Sequence, residues 1–496
     1  MKKVVHARNL NTLGTISQNL RRQMYIIPAR IQSRRYWELL EDVIVVNVII
    51  ERATNALWIC KRTFGNKWGL RPAMIHWIYT AIIRPRIIYA SLVWWTKTKE
   101  KCSIKKLEKL QRLATVCTTG AMRSTPTKAL DAILNLLPLH QFIQLEADKS
   151  ALRIKQYKSL FDGDIKGHLS ILKDIKINPL ITVNNDWMEA KFNFDRMFNV
   201  IEPDRTVWTV EGPHLRPGSI IFYTDGSKQN DQTGAGVTGP GVNLSVSMGR
   251  WPTVFQAEIQ AILECVSICL KRKYKHTNIC IFSDSQAALS ALKSFTCTSK
   301  IVWECVLLLQ QLCINNTVNI YWVPGHCGID GNEKADELAR IGSNQPFLGP
   351  EPFCGVSKCS VHMELRNWEQ KMVITNWGNA VACRQSKKII MPNISNTQKL
   401  LLLSKNELCS YTGLITGHCP VRYHLKLMGK AENDICRFCK EDSETSEHLL
   451  CSCPTLFNRS AIFFDKGLLQ PFEVWFSNPS KVVRFIRHII PSWDDT

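Results

Sequence analysis

Two short runs of this chain share one design. Ser219-Ile-Ile-Phe-Tyr-Thr-Asp225 and Asn278-Ile-Cys-Ile-Phe-Ser-Asp284 are apolar and aromatic stretches that each end on an acid. They read as buried strands with Asp225 and Asp284 at their C-terminal tips. Between them, Phe255-Gln-Ala-Glu-Ile-Gln-Ala-Ile-Leu-Glu-Cys-Val266 reads as a helix with Glu258 in its first turns. That order predicts two neighbouring parallel strands, which bring both aspartates to one sheet edge and let the helix lay Glu258 over it. Three carboxylates so close cannot all stay ionised without cations, because like charges raise one another's pKa. Hard oxygen ligands with room for water and phosphate suit magnesium, with manganese as a substitute.

A fourth element follows. Tyr321-Trp-Val-Pro-Gly-His326-Cys-Gly-Ile-Asp-Gly-Asn-Glu-Lys-Ala-Asp336 reads as a strand, a Gly-rich loop and a helix that holds Asp336. A turn writes Asp-Gly-Ser as readily as a site does, so no single phrase is specific. Four of them in order, each in a strand or helix context, are specific, and they resemble the signature of type 1 ribonuclease H over residues 218–343. At 496 residues the chain is too long for one compact core and reads as multi-domain, and the resemblance implies a central α/β fold, a mixed five-stranded sheet with helices. It also implies an endonuclease that hydrolyses the RNA strand of RNA–DNA hybrids. Asp225, Glu258, Asp284 and Asp336 would hold two magnesium or manganese ions about 4 Å apart. His326, on a flexible loop, would assist proton transfer or product release. Gln286 and the backbone at Gly226-Ser227 would touch the minor groove, where the 2′-hydroxyl marks RNA. A helix cap and a tight turn are the competing readings for those three residues.

Charge is spread unevenly. The chain of 496 residues has 63 Lys+Arg against 42 Asp+Glu, and residues 1–150 hold 25 basic and 9 acidic side chains. Residues 219–343 hold ten of each. The basic excess points to a nucleic-acid partner for the N-terminal part. From about Glu51 the pattern is helical, with Met74, Trp77, Ile78, Ala81 and Ile82 on one face. A later stripe of Ile104, Leu107, Leu110, Ala114 and Cys117 is backed by Lys105, Lys109 and Arg112. Such a basic face is ordinarily just solvated, but it also suits a phosphate backbone. Trp58, Trp68, Trp77, Trp94 and Trp95 are expected to pack in a small helical core rather than to stack on bases.

The wording Ala53-Thr-Asn-Ala-Leu-Trp-Ile-Cys-Lys-Arg62, Tyr89-Ala-Ser-Leu-Val-Trp-Trp95 and Leu136-Leu-Pro-Leu-His140 resembles the thumb and connection region of insect non-LTR retrotransposon polymerases. Polymerase activity is not expected. The only Asp-Asp pair, Asp494-Asp495, has no flanking strands to present it to metals. Cys436-Arg-Phe-Cys439, His448 and Cys453 have the ligand set of a structural tetrahedral zinc site. They also resemble the cluster that closes many insect retrotransposon polyproteins. Cys451 competes with Cys453 for the fourth place, Cys453 being preferred, and unliganded buried thiols are the other reading. A closed site would put the zinc's binding energy into folding the C-terminal segment.

The expected organisation is a basic leader (1–50), a helical thumb-like region (51–150), a connector of helix and loop (151–217), the ribonuclease H segment (218–343), a Pro/Gly linker (344–357) and a mostly helical region with the zinc cluster (358–496). A catalytically silent, nucleic-acid-binding retrotransposon remnant is the alternative function. The 19 cysteines have no framework spacing and no secretory signal opens the chain, so the expectation is an intracellular protein of nucleus or cytoplasm. The first 37 residues, with eight basic side chains and no acid, loosely resemble a mitochondrial transit segment, a basic arm being preferred. No membrane span is expected, because Arg84-Pro85-Arg86 interrupts the most apolar stretch, Ile75–Trp95.

Overall fold

The computed structural model describes residues 43–491 except 63, 64, 66, 67, 157–183, 210, 211 and 382, together with residue 493. The first 42 residues, part of the connector and the Asp494-Asp495 pair lie outside the described residues. The chain divides into two units: residues 176–368 form one, and residues 1–175 with 369–496 form the other.

The sheet of the 176–368 unit consists of β2 (Asn199–Ile201), β3 (Ile220–Gln229), β4 (Gln232–Gly239), β5 (Val242–Gly249), β6 (Asn278–Ser283) and β8 (Thr317–Trp322). They lie in the order β2-β8-β6-β3-β4-β5, parallel from β2 to β3 and antiparallel from β3 to β5. That is one strand more than expected. The addition, β2, has three residues and a half-exposed pattern, which leaves no periodicity to read. It comes from the stretch expected to be a connector, as does β1 (Trp187–Phe192), which pairs antiparallel with β7 (Thr296–Ser299) in a separate ribbon. The strand expected to stop at Asp225 runs on to Gln229. Its parallel pairing with β6 ends at Thr224, but antiparallel pairing with β4 continues to the hairpin.

Helices α1 (Val254–Lys271), α2 (Gln286–Lys293) and α3 (Lys300–Cys313) share a core with Phe222, Ile279, Ile281, Val318 and Ile320. Full burial of each such side chain stabilises by roughly 1.5–3 kcal/mol. Thr253 and Gln256 start α1 with a reciprocal capping box. Helix α4 (Asp330–Asn344) crosses β3, β4 and β5. It can lie that close because Gly236 of β4 has no side chain: a Cβ there would stand 2.2 Å from the Ala335 carbonyl oxygen. The expected free linker at 344–357 is instead strapped to this unit. Gln345 O accepts from Ser247, Glu351 accepts from the Arg250 N–H, and Gly355 O accepts from Gln256 Nε2. Pro/Gly-rich chain makes such tight wraps as readily as open linkers.

The other unit is helical, and it joins two regions expected to be separate. One hydrophobic core takes Leu57, Tyr79, Leu107 and Leu130 from before the central unit and Tyr411, Leu414, Trp475 and Phe485 from after it. Paired amides lock the two segments: Asn135 with Gln370 at 2.8 and 3.1 Å, and Gln141 with Asn376 at 3.0 and 2.6 Å. Pairing across such sequence separations leaves no trace in local periodicity. In the helix Lys101–Thr119, Leu107, Leu110, Ala114 and Cys117 are buried as the stripe predicts. Of the five tryptophans expected in the core, only Trp94 and Trp95 are there, while Trp58, Trp68 and Trp77 are exposed. Among the described residues no helix is long and apolar enough to cross a membrane.

Candidate active site

The parallel register of β3 and β6 pairs Tyr223 with Phe282 and Thr224 with Ser283. Asp225 and Asp284, one residue further on each strand, are therefore level with each other. Strand alternation sends them to the side of the sheet where the rings of Tyr223 and Phe282 stack at 5.0 Å. Gly226 supplies the third carboxylate indirectly. A Cβ on it would lie 2.5 Å from the Glu258 backbone nitrogen, so only glycine lets α1 come down onto β3 at this level.

The result is a cluster in which Asp225, Glu258 and Asp284 each offer an oxygen within 4.8 Å of the others. Asp225 is 6% and Glu258 5% exposed. Burial first, then the charges of Asp284 and Asp336, push the Asp225 carboxyl up to about 7. Burial, then Asp225 and Asp284, hold Glu258 well above the usual carboxylate range. Burial also raises Asp284, against a hydrogen bond from Asn332. The Glu258 Oε2 atom is buried and has no hydrogen-bond partner. An orphaned oxygen in a crowd of carboxylates fits a divalent cation, which the oxygens can ligate and which removes the repulsion.

The loop after β8 completes the site. Gly325 packs on Asp284, where a Cβ would sit 2.6 Å from Oδ2. His326 has a left-handed backbone (φ +53), a side chain 73% exposed, and its Nδ1 3.9 Å from Asp336 Oδ2. Asp336 does not join the first three carboxylates in one cluster. It belongs to an adjoining group with His326 and Glu333, whose ligand atoms lie within 4.8 Å of one another, and it forms an ion pair with Arg340. Glu333 was not singled out in the sequence. Its signal was the i, i+3 spacing to Asp336 on a helix facing the site.

Residues 217–344 match the sequence profile of the family described as RNase H. This segment is an RNase H domain. Mouse Ribonuclease H1 is 29% identical over 147 residues, a match covering 26% of this chain and 51% of that protein. Rat Ribonuclease H1 is 28% identical over the same length. The chain thus spans about half the length (51%) of the curated relatives it matches. A solved RNase H1 from the archaeon Halobacterium salinarum NRC-1 aligns with 25% of this chain and 97% of its own, at 21% identity and a TM-score of 0.22.

The other sequence-derived candidates fall out differently. In the RNase H domain Gln286 is exposed at the start of α2, and the cap is its neighbour Ser285, which accepts from Ala288 N. Gly226 and Ser227 are strand residues, Gly226 buried beneath α1 and Ser227 half-buried, so they form no tight turn. In the helical unit Lys105 and Lys109 are exposed and Arg112 is half-buried. Its guanidinium braces a loop by donating to Thr125 O, Thr127 Oγ1 and Arg123 O. Cys436, Cys439, His448 and Cys453 each offer one atom within 4.8 Å of the others. Cys436 and Cys453 sulfurs are 4.0 Å apart, and Cys439 Sγ is 3.4 Å from His448 Nε2. Cys451 stands outside this group, its thiol pushed up to about 12 by burial and then by Glu447. The sequence reading also missed Glu444, which is fully buried and accepts from the Arg437 backbone and guanidinium beside Cys436.

The raised Asp225 carboxyl sets a pH dependence. With a folded value of about 7 against an ordinary one near ~3.9, the ion-free domain keeps this stabilisation below pH ~4 and loses it as pH rises through about 7. Asp225→Asn cannot ionise. In chelator, thermal melts of the variant and the wild type should coincide near pH 4. At pH 8 the variant should melt several degrees higher, a shift on the order of 1–3 kcal/mol. A variant no more stable than wild type at pH 8 would contradict the electrostatic account.

Proposed function

We propose that this chain is an endonuclease that hydrolyses the RNA strand of RNA–DNA hybrids, with the RNase H domain as its catalytic part. The observation that carries the reading is the buried Oε2 of Glu258, unpartnered in a cluster with Asp225 and Asp284. Two magnesium or manganese ions bound there would supply an activated water and Lewis-acid stabilisation of the phosphate. Asp225 and Asp284 would hold them from the sheet, Glu258 from α1 and Asp336 from α4. His326, exposed on its loop, has the freedom to deliver a proton to the leaving oxygen or to follow the product out. Gln286 is the residue with a surface free to meet the minor groove. The exposed Lys105 and Lys109 would hold nucleic acid through phosphates, a sequence-independent contact. The thumb-like wording supports descent from an insect retrotransposon polyprotein.

The test is cleavage of a hybrid labelled on its RNA strand, in magnesium and in chelator. Asp284→Asn should lower turnover at least ~10³-fold with the fold intact, since it removes a ligand without adding repulsion. Wild-type turnover in that variant would show the site to be misassigned.

The Cys436, Cys439, His448 and Cys453 group would bind one structural zinc ion. Because Cys436 and Cys453 belong to the same core as Leu107 and Leu130, the zinc supports more than the C-terminal segment. Stripping zinc from the full chain should speed hydrogen exchange in residues 101–145 as well as 430–456, and leave 220–343 protected. Exchange confined to 430–456 would show that the cluster folds its own segment only.

A further inference from the structure

Five carboxylates gather at the active site, yet they do so in two groups. Asp225, Glu258 and Asp284 form one, while Glu333 and Asp336 stand with His326 in the other. Asp336 has a partner on its own helix. Arg340, one turn further along α4, directs Nη2 at Asp336 Oδ2 in an ion pair, the same oxygen that His326 Nδ1 approaches at 3.9 Å. The Asp336 side chain is 14% exposed and that of Arg340 is 49% exposed, so the pair straddles the rim of the site. The guanidinium is a permanent cation that cannot be deprotonated, and it is tethered where it satisfies a carboxylate otherwise facing four others.

We propose that Arg340 is a positioning residue that stands in for a divalent cation on Asp336 and must release it when the second ion binds. It thereby sets how tightly that ion is held. This rests on the cation-dependent reading of the carboxylate site. The release is inexpensive, because an ion pair with a half-exposed partner is weak, and it is local, because Arg340 can swing into solvent from the rim. The arrangement gives Asp336 a partner within the chain in the ion-free domain. It also makes second-ion binding an exchange of one cation for another rather than a simple addition. Arg340 does no chemistry in this scheme.

The experiment is equilibrium manganese binding to the full chain, with free ion followed by electron paramagnetic resonance. The proteins are wild type, Arg340→Gln, Arg340→Lys and a control, Lys334→Gln. Lys334 is an exposed cation on the same helix, and no ion pair to Asp336 is seen for it. The Arg340→Gln protein should bind the second ion about fivefold tighter, with Arg340→Lys between it and wild type and Lys334→Gln within about twofold of wild type. The magnesium concentration giving half-maximal hybrid cleavage should fall in the same order. An Arg340→Gln isotherm identical to wild type overturns the proposal, including the case where only KM for the hybrid rises, because Arg340 would then be touching nucleic acid. Equal tightening by Lys334→Gln also overturns it, since general electrostatics would suffice. A wild-type isotherm that Asp284→Asn leaves unchanged overturns the metal reading and this proposal together.

Discussion

The pairing of Thr224 with Ser283 fixes the level at which everything else at the site must arrive. Parallel strands in this register put Asp225 and Asp284 side by side, and a slip of one residue would turn one of them to the opposite face. The register is held by the apolar residues of β3 and β6, which alternate between the α1 side and the aromatic stack of Tyr223, Phe282 and Tyr321. The hydrophobic core thus does two things with one set of residues. It stabilises the domain, and it forces together charges that would separate if the chain were free.

That forced proximity would be the source of the proposed chemistry. An acid cluster of this kind destabilises the ion-free domain at neutral pH, and bound cations would reverse the sign of the interaction. Glu258 is the extreme case. Gly226 allows α1 so close that the carboxylate is almost wholly buried, leaving Oε2 with no partner from the protein. Asp336 is treated differently, since Arg340 satisfies it from within the chain. The two halves of the site therefore differ in what the protein itself provides, which is the asymmetry behind the role argued for Arg340.

Much of this was legible in the sequence, for identifiable reasons. Strands ending in acids, a helix with Glu258 near its start, and a Gly-rich loop before Asp336 are local patterns, and local patterns survive into structure. The Cys436, Cys439, His448 and Cys453 group was legible from spacing, and the geometry separates Cys453 from Cys451. What escaped was non-local or too short. The three-residue β2 has no period, and the strapping of 344–357 depends on donors from Ser247, Arg250 and Gln256. The common core of the segments flanking the central unit depends on contacts such as Asn135 with Gln370. Arg112 shows a further limit: helical spacing gives no sign that its guanidinium braces a loop.

The central claim is that the buried carboxylates are arranged for cations rather than for one another. A crystal structure of the full chain grown with manganese, using the metal's anomalous scattering, tests it most directly. The account predicts an anomalous peak ligated by Asp225, Asp284 and the Oε2 of Glu258. Manganese found only elsewhere, with Glu258 Oε2 satisfied by a protein hydrogen bond, would contradict it.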